Sequence, residues 1–198
     1  MAIKPILFNT EMVRAILDGR KACTRRLVKL PSYIKQQEDG LYTLWAEGTC
    51  YENQYLEEII PYIKQPYQPG DILYVRETWK KAPNGYYYYE SWQRNDIADV
   101  TKWKPSIHMP KEAARIWLNV TNIRVERLQE ISREGALAEG TDKYIHVDGT
   151  LNEDQTITSF IGIWNSTIKK ADLDRYGWNA NPWVWVIEFE RCEKPEGV

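Results

Sequence analysis

The stretch ARIWLNVTNIRVERLQEISREGALAEG, residues 114–140, carries both periodicities that a mixed fold needs. Ile116, Leu118 and Val120 recur at every second position, as in a strand with a buried face. The alternation resumes at Ile123 and Val125, so its phase changes at Thr121–Asn122 and a bulge or bend is expected there. Ser132 then opens a short helix that Gly140 is placed to stop. Glu139 falls in the last turn of that helix, where an acidic residue opposes a dipole whose C-terminal end prefers cations.

Working outward toward the C-terminus, IHVDGTL (145–151) reads as a hairpin and TITSFIGIWNSTIKK (156–170) as a helix with Phe160, Ile161, Trp164 and Ile168 on its apolar face. In PWVWVIEFE (182–190), Trp183, Trp185, Ile187 and Phe189 share one face of a closing strand. Toward the N-terminus, PGDILYVRETW (69–79) gives a turn at Pro69–Gly70 and a strand through Ile72, Leu73 and Val75. That strand delivers Arg76, Glu77 and Trp79 near its end. A hairpin turning at APNG (82–85) and returning through YYYYESW (86–92) follows, then the irregular, proline-flanked KWKPSIHMP (102–110). Residues 31–66 are polar and turn-rich, with a hairpin at Asp39–Gly40 and a short helix in ENQYLEEII (52–60), and read as an insertion.

At the start, PILF (5–8) is a short strand and NTEMVRAILDGRK (9–21) a helix. Thr10 is placed to cap it, Met12, Val13, Ile16 and Leu17 form its buried face, and Gly19 ends it in a left-handed conformation. Several separated strands with two or three helices make an α+β domain, most simply a small mixed barrel.

Composition narrows the function classes. The 198 residues are 43% hydrophobic and 27% charged, enough for one globular domain with a full core. A net charge of −2 lacks the basic balance of a protein that coats nucleic acid, so any such contact is local. No apolar run approaches the roughly 20 residues of a membrane span, and MAIKPILFNT lacks the apolar core of a signal peptide, so the chain reads as cytoplasmic with no membrane partner. Cys23, Cys50 and Cys192 are odd in number and widely spaced, which argues against a disulfide framework. With His108 and His146 the only histidines, and neither at ligand spacing from a cysteine, no metal is expected. Nine Trp and thirteen Tyr against three Phe suit half-buried sheet surfaces and concave sites, although core packing accounts for most of them.

The segment GRKACTRR (19–26) sets four cations around one thiol and one hydroxyl. Such a cluster binds an anion or alters a neighbour's chemistry. A threonine hydroxyl becomes a nucleophile when a base takes its proton, and a lysine serves if its ammonium form is disfavoured by burial and like charges, here Arg20, Arg25 and Arg26. Lys21 and Thr24 meet side by side in a helical turn or tight loop, whereas an extended strand sends them to opposite faces. Cys23 is a rival nucleophile, since cations lower a thiol pKa, but a small buried hydrophobe is its commoner role. The bland reading of the cluster is a set of cations that favour the helix end, with Thr24 bonding backbone and Glu139 a solvated carboxylate.

The segments ILDGRKACTRR (16–26), PGDILYVRETW (69–79), VTNIRVERLQEISREGALAEG (120–140) and NPWVWVIEFE (181–190) together resemble the ASCH domain, a branch of the PUA-like superfamily. The larger form encoded in phages and prophages looks closest, and it typically carries a segment like KWKPSIHMP. The resemblance implies a small mixed β-barrel flanked by helices. It would be a single domain over residues 1–193 with hairpin insertions at about 31–66 and 80–105 and a tail at 194–198. It also implies a cleft of the kind that meets RNA or modified bases.

One branch of that family removes acyl groups from N4 of cytosine nucleosides, with a Lys and a Thr three residues apart and a Glu from a later short helix. By resemblance those roles fall to Lys21, Thr24 and Glu139, with no cofactor. Substrate contacts would come from Arg20, Arg26, Arg76, Glu77, Trp79 and His108, with Trp79 stacking a base and Arg76 meeting a phosphate or Glu77. Plain alternatives are a salt bridge for Arg76 or Glu77 and a structural hydrogen bond for His108. His146 reads as part of an exposed hairpin. The implied partner is a modified cytosine nucleoside or RNA, and the alternatives to a hydrolase are a non-enzymatic reader of RNA or a modified base, or a ribonuclease. Oligomeric state is not encoded in any motif.

Overall fold

Two helix ends and one bulge fix the framework on which the candidate residues sit. The computed structural model describes residues 1–94, 102–141 and 153–197, so the expected hairpin at 145–151 and His146 lie outside the described residues. In chain order the elements are β1 (Ile3–Leu7), α1 (Thr10–Leu17), β2 (Cys23–Leu27), β3 (Ile34–Gln36), β4 (Tyr42–Ala46), β5 (Thr49–Gln54), α2 (Leu56–Ile59) and β6 (Ile72–Arg76). They continue with β7 (Trp79–Ala82), β8 (Gly85–Tyr88), α3 (Tyr89–Arg94), β9 (Trp117–Arg127), α4 (Arg133–Ala138), α5 (Glu153–Thr167), α6 (Leu173–Tyr176) and β10 (Trp183–Cys192). The chain is mixed α+β, as its two periodicities require.

The chain divides into two compact units, residues 1–26 with 67–198, and residues 27–66. The larger is built on a five-stranded mixed sheet in the order β1-β6-β9-β10-β2. β1 runs parallel to β6, with Ile3 opposite Ile72 and Leu7 opposite Arg76, and β9 runs antiparallel to both β6 and β10. Residues Ile72 to Val75 of β6 are all buried, so the strand is covered on both faces and reads as a continuous apolar run rather than an alternation. On one face Ile72, Tyr74 and Trp117 pack with Trp79, Met109 and Ala113.

The expected phase change in β9 is present as a bulge. Asn122 pairs with Glu188 and Val120 with Phe189, leaving Thr121 as the extra residue.

Helix α1 is capped by Asn9, whose side chain accepts from Met12 N at 2.9 Å, rather than by Thr10, which begins the helix proper. Its buried face is Val13, Ala15 and Ile16, while Met12 and Leu17 are not fully buried. Gly19 takes φ +74° and ends the helix as expected. Its N–H reaches the Ile16 carbonyl, and the Arg20 N–H returns to the Ala15 carbonyl, the double bond of a Schellman turn. The YYYYESW return is strand only to Tyr88 and turns helical from Tyr89, whose N–H makes the last bond in the hairpin register, to the Thr78 carbonyl.

The smaller unit holds the three-stranded sheet β3-β4-β5 and α2, with Ile34, Tyr42, Leu44, Leu56 and Ile59 buried. The turn at Asp39–Gly40 closes β3 on β4 as expected, Gly40 at φ +87° and Leu41 N bonded to the Asp39 carboxylate. Among the described residues no helix is long and apolar enough to cross a membrane.

Candidate functional site

The chain leaves the Schellman turn fully extended, and that path decides the geometry. Lys21 N bonds the Ala15 carbonyl and Ala22 N the Ala138 carbonyl, so the segment is pinned between the ends of α1 and α4. Lys21 and Glu139 form an isolated antiparallel bridge, and β2 begins two residues later. Gly140 makes the approach possible. It sits at φ +91°, and a Cβ there would lie 2.7 Å from the Ala15 Cβ and 3.1 Å from the Lys21 Cβ.

Lys21 and Glu139 come together. The Lys21 Nζ donates to Glu139 Oε2 at 2.7 Å and to the Glu139 carbonyl at 2.9 Å, with the lysine side chain wholly buried and the carboxylate nearly so. The expected misfit between Glu139 and the dipole of α4 is thus resolved by an ammonium on the terminal carbonyl. The surroundings of Lys21 are therefore not those of like charge alone, because a carboxylate answers the arginines.

Arg25 extends the network, donating from Nη1 to Glu139 Oε1 at 3.3 Å and from Nη2 to Glu126 Oε1 at 2.6 Å. Burial disfavours its charge, but Glu139 and Glu126 more than offset this and hold its pKa above the ordinary value. Arg124 caps the far end with ion pairs to Glu126 and Glu188.

Thr24 lies in β2 and is 1% exposed. Because the backbone is extended, Lys21, Cys23 and Arg25 point toward α4 and Thr24 points away, and no hydrogen bond joins Thr24 to Lys21 among the described residues. The head groups still converge on one ring. Lys21 Nζ stands 5.4 Å from the Phe8 centroid, and Arg26, on the Thr24 side of the strand, has its guanidinium 5.5 Å from the same ring.

Arg26 donates from Nη2 to the Leu7 carbonyl at 2.9 Å, occupying an acceptor on the edge strand β1. Burial lowers its pKa, partly countered by the charge of Glu139. Cys23 is buried against the Gly135 carbonyl. Its thiol is pushed up to about 12 by burial and by Glu139, against the pull of Lys21 and Arg25, so it is held protonated.

The other expected contacts sit elsewhere. Arg20 is exposed and bonds the Gly140 carbonyl at 2.8 Å. Arg76 does not pair with Glu77. It lies 5.5 Å from the Tyr74 ring and donates to the Ile107 carbonyl at 3.3 Å. Glu77 is instead held bidentately by Arg115, at 2.8 Å for both bonds, and Arg115 also reaches Glu90 at 3.4 Å and stacks 4.2 Å from the Tyr88 ring. Trp79 packs into the apolar cluster at 5% exposure, with Lys104 Nζ 5.1 Å from its ring, and presents no open face. His108 is exposed in a single turn of 3-10 helix.

An open depression of about 520 Å³ lies beside the network between β2, the bulge and α4, with Cys23, Arg25, Glu126 and Gly135 on its wall. Lys21, Thr24 and Glu139 do not line it. Among the described residues no three His, Cys, Asp or Glu side chains are grouped to hold a metal ion. The residues that sequence reasoning passed over are Phe8, Glu126 and Arg115. Only Glu126 carried a trace of signal, as an acidic position in the strand that leads to Ser132.

No family model matches the chain, and no curated protein matches it. Among solved structures it is similar to the ASCH domain from Lactobacillus crispatus JV V101, with a TM-score of 0.40 and 10% identity over 96% of this chain and 79% of that one. It is also similar to protein EF3133 from Enterococcus faecalis V583, with a TM-score of 0.44 and 10% identity over 97% of this chain and 76% of that one. A third similar structure is the hypothetical protein PH0355, at a TM-score of 0.40 and 13% identity, covering 97% and 100% respectively. Scores of this size carry no argument about activity, which rests on the chain's own residues.

Proposed function

We propose that the chain is an amidohydrolase acting on N4-acylated cytosine nucleosides, with Thr24 as nucleophile, Lys21 as its base and Glu139 as the acid. The observation that carries this reading is a buried Lys21–Glu139 pair at 2.7 Å whose ammonium shares the Phe8 ring with the Thr24 side of β2. A lysine–carboxylate pair, unlike an arginine pair, holds a proton that can move between nitrogen and oxygen.

In the reaction, Thr24 Oγ1 bonds to the acyl carbon as its proton passes to the Lys21 amine. The bond from that carbon to N4 breaks as Glu139 gives its proton to the departing cytosine amine. The product of this half-reaction is an acyl ester on Thr24. Water, deprotonated by the Glu139 carboxylate, then attacks the ester, and Thr24 leaves with the proton held on Lys21. Arg25 bonds the other carboxylate oxygen and keeps Glu139 turned toward Lys21.

Release of cytidine from N4-acetylcytidine, followed by chromatography, tests this with wild type and Thr24→Ala. Loss of turnover by about a thousandfold or more is expected, and a fully active Thr24→Ala protein would sink the assignment.

A further inference from the structure

The three-stranded sheet of residues 27–66 has two unlike faces. Its inner face holds Ile34, Tyr42 and Leu44, all buried, and Leu56 and Ile59 of α2, the helix that contacts β4, are buried as well. Its outer face follows from the register. Ile34 lies opposite Leu44 and Trp45 N bonds the Tyr33 carbonyl at 2.9 Å, so Tyr33 and Trp45 are cross-strand neighbours on the other side of the pleat. Cys50 of β5 lies opposite Trp45. All three are exposed, Tyr33 at 43% and Trp45 at 44%. The Tyr33 hydroxyl donates to the Tyr62 carbonyl at 2.8 Å, which holds its ring in place. Core packing does not account for two large rings side by side on the solvent face of a sheet.

What this pair lacks is a cation. In the larger unit the chain's own cations stand over its rings, Lys104 over Trp79 at 5.1 Å, Arg115 over Tyr88 at 4.2 Å and Arg127 over Trp183 at 4.2 Å. Among the described residues none stands over Tyr33 or Trp45. The charge around them is negative. Residues 27–66 carry Glu38, Asp39, Glu47, Glu52, Glu57 and Glu58 against Lys29, Lys35 and Lys64, with no arginine or histidine. Glu47 opens the β4–β5 turn two residues after Trp45, Glu52 follows Cys50 by two positions along β5, and both are exposed. We infer that the outer face of β3, β4 and β5 docks a basic segment of a partner protein, with an arginine of that segment lying on the Trp45 and Tyr33 rings. A guanidinium stacks on an aromatic face and still offers donors to a carboxylate. A nucleic-acid strand would stack on the same rings, but its phosphates would meet the excess of carboxylates. The inference is independent of the hydrolase reading, whose residues all lie outside 27–66.

Fluorescence anisotropy of the full chain tests this with two probes, a dye-labelled octapeptide alternating arginine and serine and a labelled oligouridylate of the same length. Saturable binding of the peptide is expected, tighter than that of the oligonucleotide. Trp45→Ala changes no charge and removes an exposed side chain, and it should weaken peptide binding by about fivefold or more. Trp45→Phe keeps a ring and should retain most of the affinity, which separates loss of the ring from damage to the sheet. Absence of saturable peptide binding by wild type, or equal binding by wild type and Trp45→Ala, overturns the docking face. Tighter binding of the oligouridylate than of the peptide overturns the protein occupant. Sedimentation of the wild type as a dimer that Trp45→Ala disperses also overturns it, and gives the face to a second copy of the chain.

Discussion

Two buried charge networks in the larger unit are built from the same kinds of group and differ in one side chain. Around Glu139 the cations are Lys21 and Arg25, and around Glu77 and Glu90 they are Arg115 and Arg14. Each network keeps its carboxylates nearly free of solvent and ties together segments far apart in sequence. A guanidinium does not give up its proton in a protein, so the Glu77 network holds α3 and the segment entering β9 to the end of β6 through fixed charges. The Glu139 network contains an amine, and an amine facing a carboxylate can transfer a proton. Burial alone therefore does not distinguish the two networks, and on the proposed hydrolase reading the amine does.

The largest expected effect that sharpens this contrast is in Lys21→Arg. The substitution keeps a cation against Glu139 and removes the exchangeable proton. Turnover of N4-acetylcytidine should fall by about a hundredfold to ten-thousandfold, while the urea midpoint moves little. Wild-type kcat/KM in Lys21→Arg would place the two networks in one class.

Arg115→Met should show the opposite profile. Glu77 would be left buried and unpaired, and stability should drop by about 3 kcal/mol or more, read from urea unfolding. Folded protein at low temperature should retain its turnover, since Arg115 touches neither Lys21 nor Glu139.

A smaller effect lies in pH. Burial pushes the Glu77 carboxyl above its ordinary range, the bonds from Arg115 pull it down, and the net shift is upward. A carboxyl raised on folding binds more protons in the folded chain, so it favours folding at low pH, and this contribution is lost as pH rises through the folded pKa. The stability of wild type relative to Glu77→Gln should therefore decline as pH climbs from the ordinary glutamate value, with a slope no steeper than about 1.4 kcal/mol per pH unit. A difference that grows with pH instead would show that Arg115 dominates.

The smallest effect is expected at Cys23. With its thiol pushed up to about 12 and held protonated, iodoacetamide at mildly alkaline pH should label the exposed Cys50 first, as followed by mass spectrometry. Cys23→Ala should change turnover by no more than about twofold. Rapid labelling of Cys23 would return the thiol as a rival nucleophile.

Features governed by neighbours in sequence are legible in the chain itself. Ser132 caps α4, Gly19 and Gly140 adopt positive φ, and the bulge falls at Thr121, because capping, left-handed turns and a change of phase are set within a few residues. The α1 cap lies one position before the expected Thr10, since Asn9 and Thr10 are both capping residues and only the backbone path distinguishes them. Glu139 stands out as an acid at the wrong end of a helix, and its partner explains the oddity. The partner of Glu77 is not legible in this way. Adjacent residues on a strand point to opposite faces, so Arg76 is out of reach and Arg115, 38 positions on, is the one that bonds it.

The residue order alone determined the mixed α+β class, where α1 and α4 end, and which residue types could do chemistry. Tertiary structure decided which of them meet. Lys21 reaches Glu139 across 118 positions, and Arg25 reaches Glu126 across 101, because the sheet order β1-β6-β9-β10-β2 carries β2 to the end of α4. It also decided that residues 21–24 run extended, turning Thr24 away from Lys21 along the backbone while both sides of the strand share Phe8. Local propensity acts over a few residues. Ion pairs and shared rings depend on distances through space, and these are set only when the whole sheet has formed.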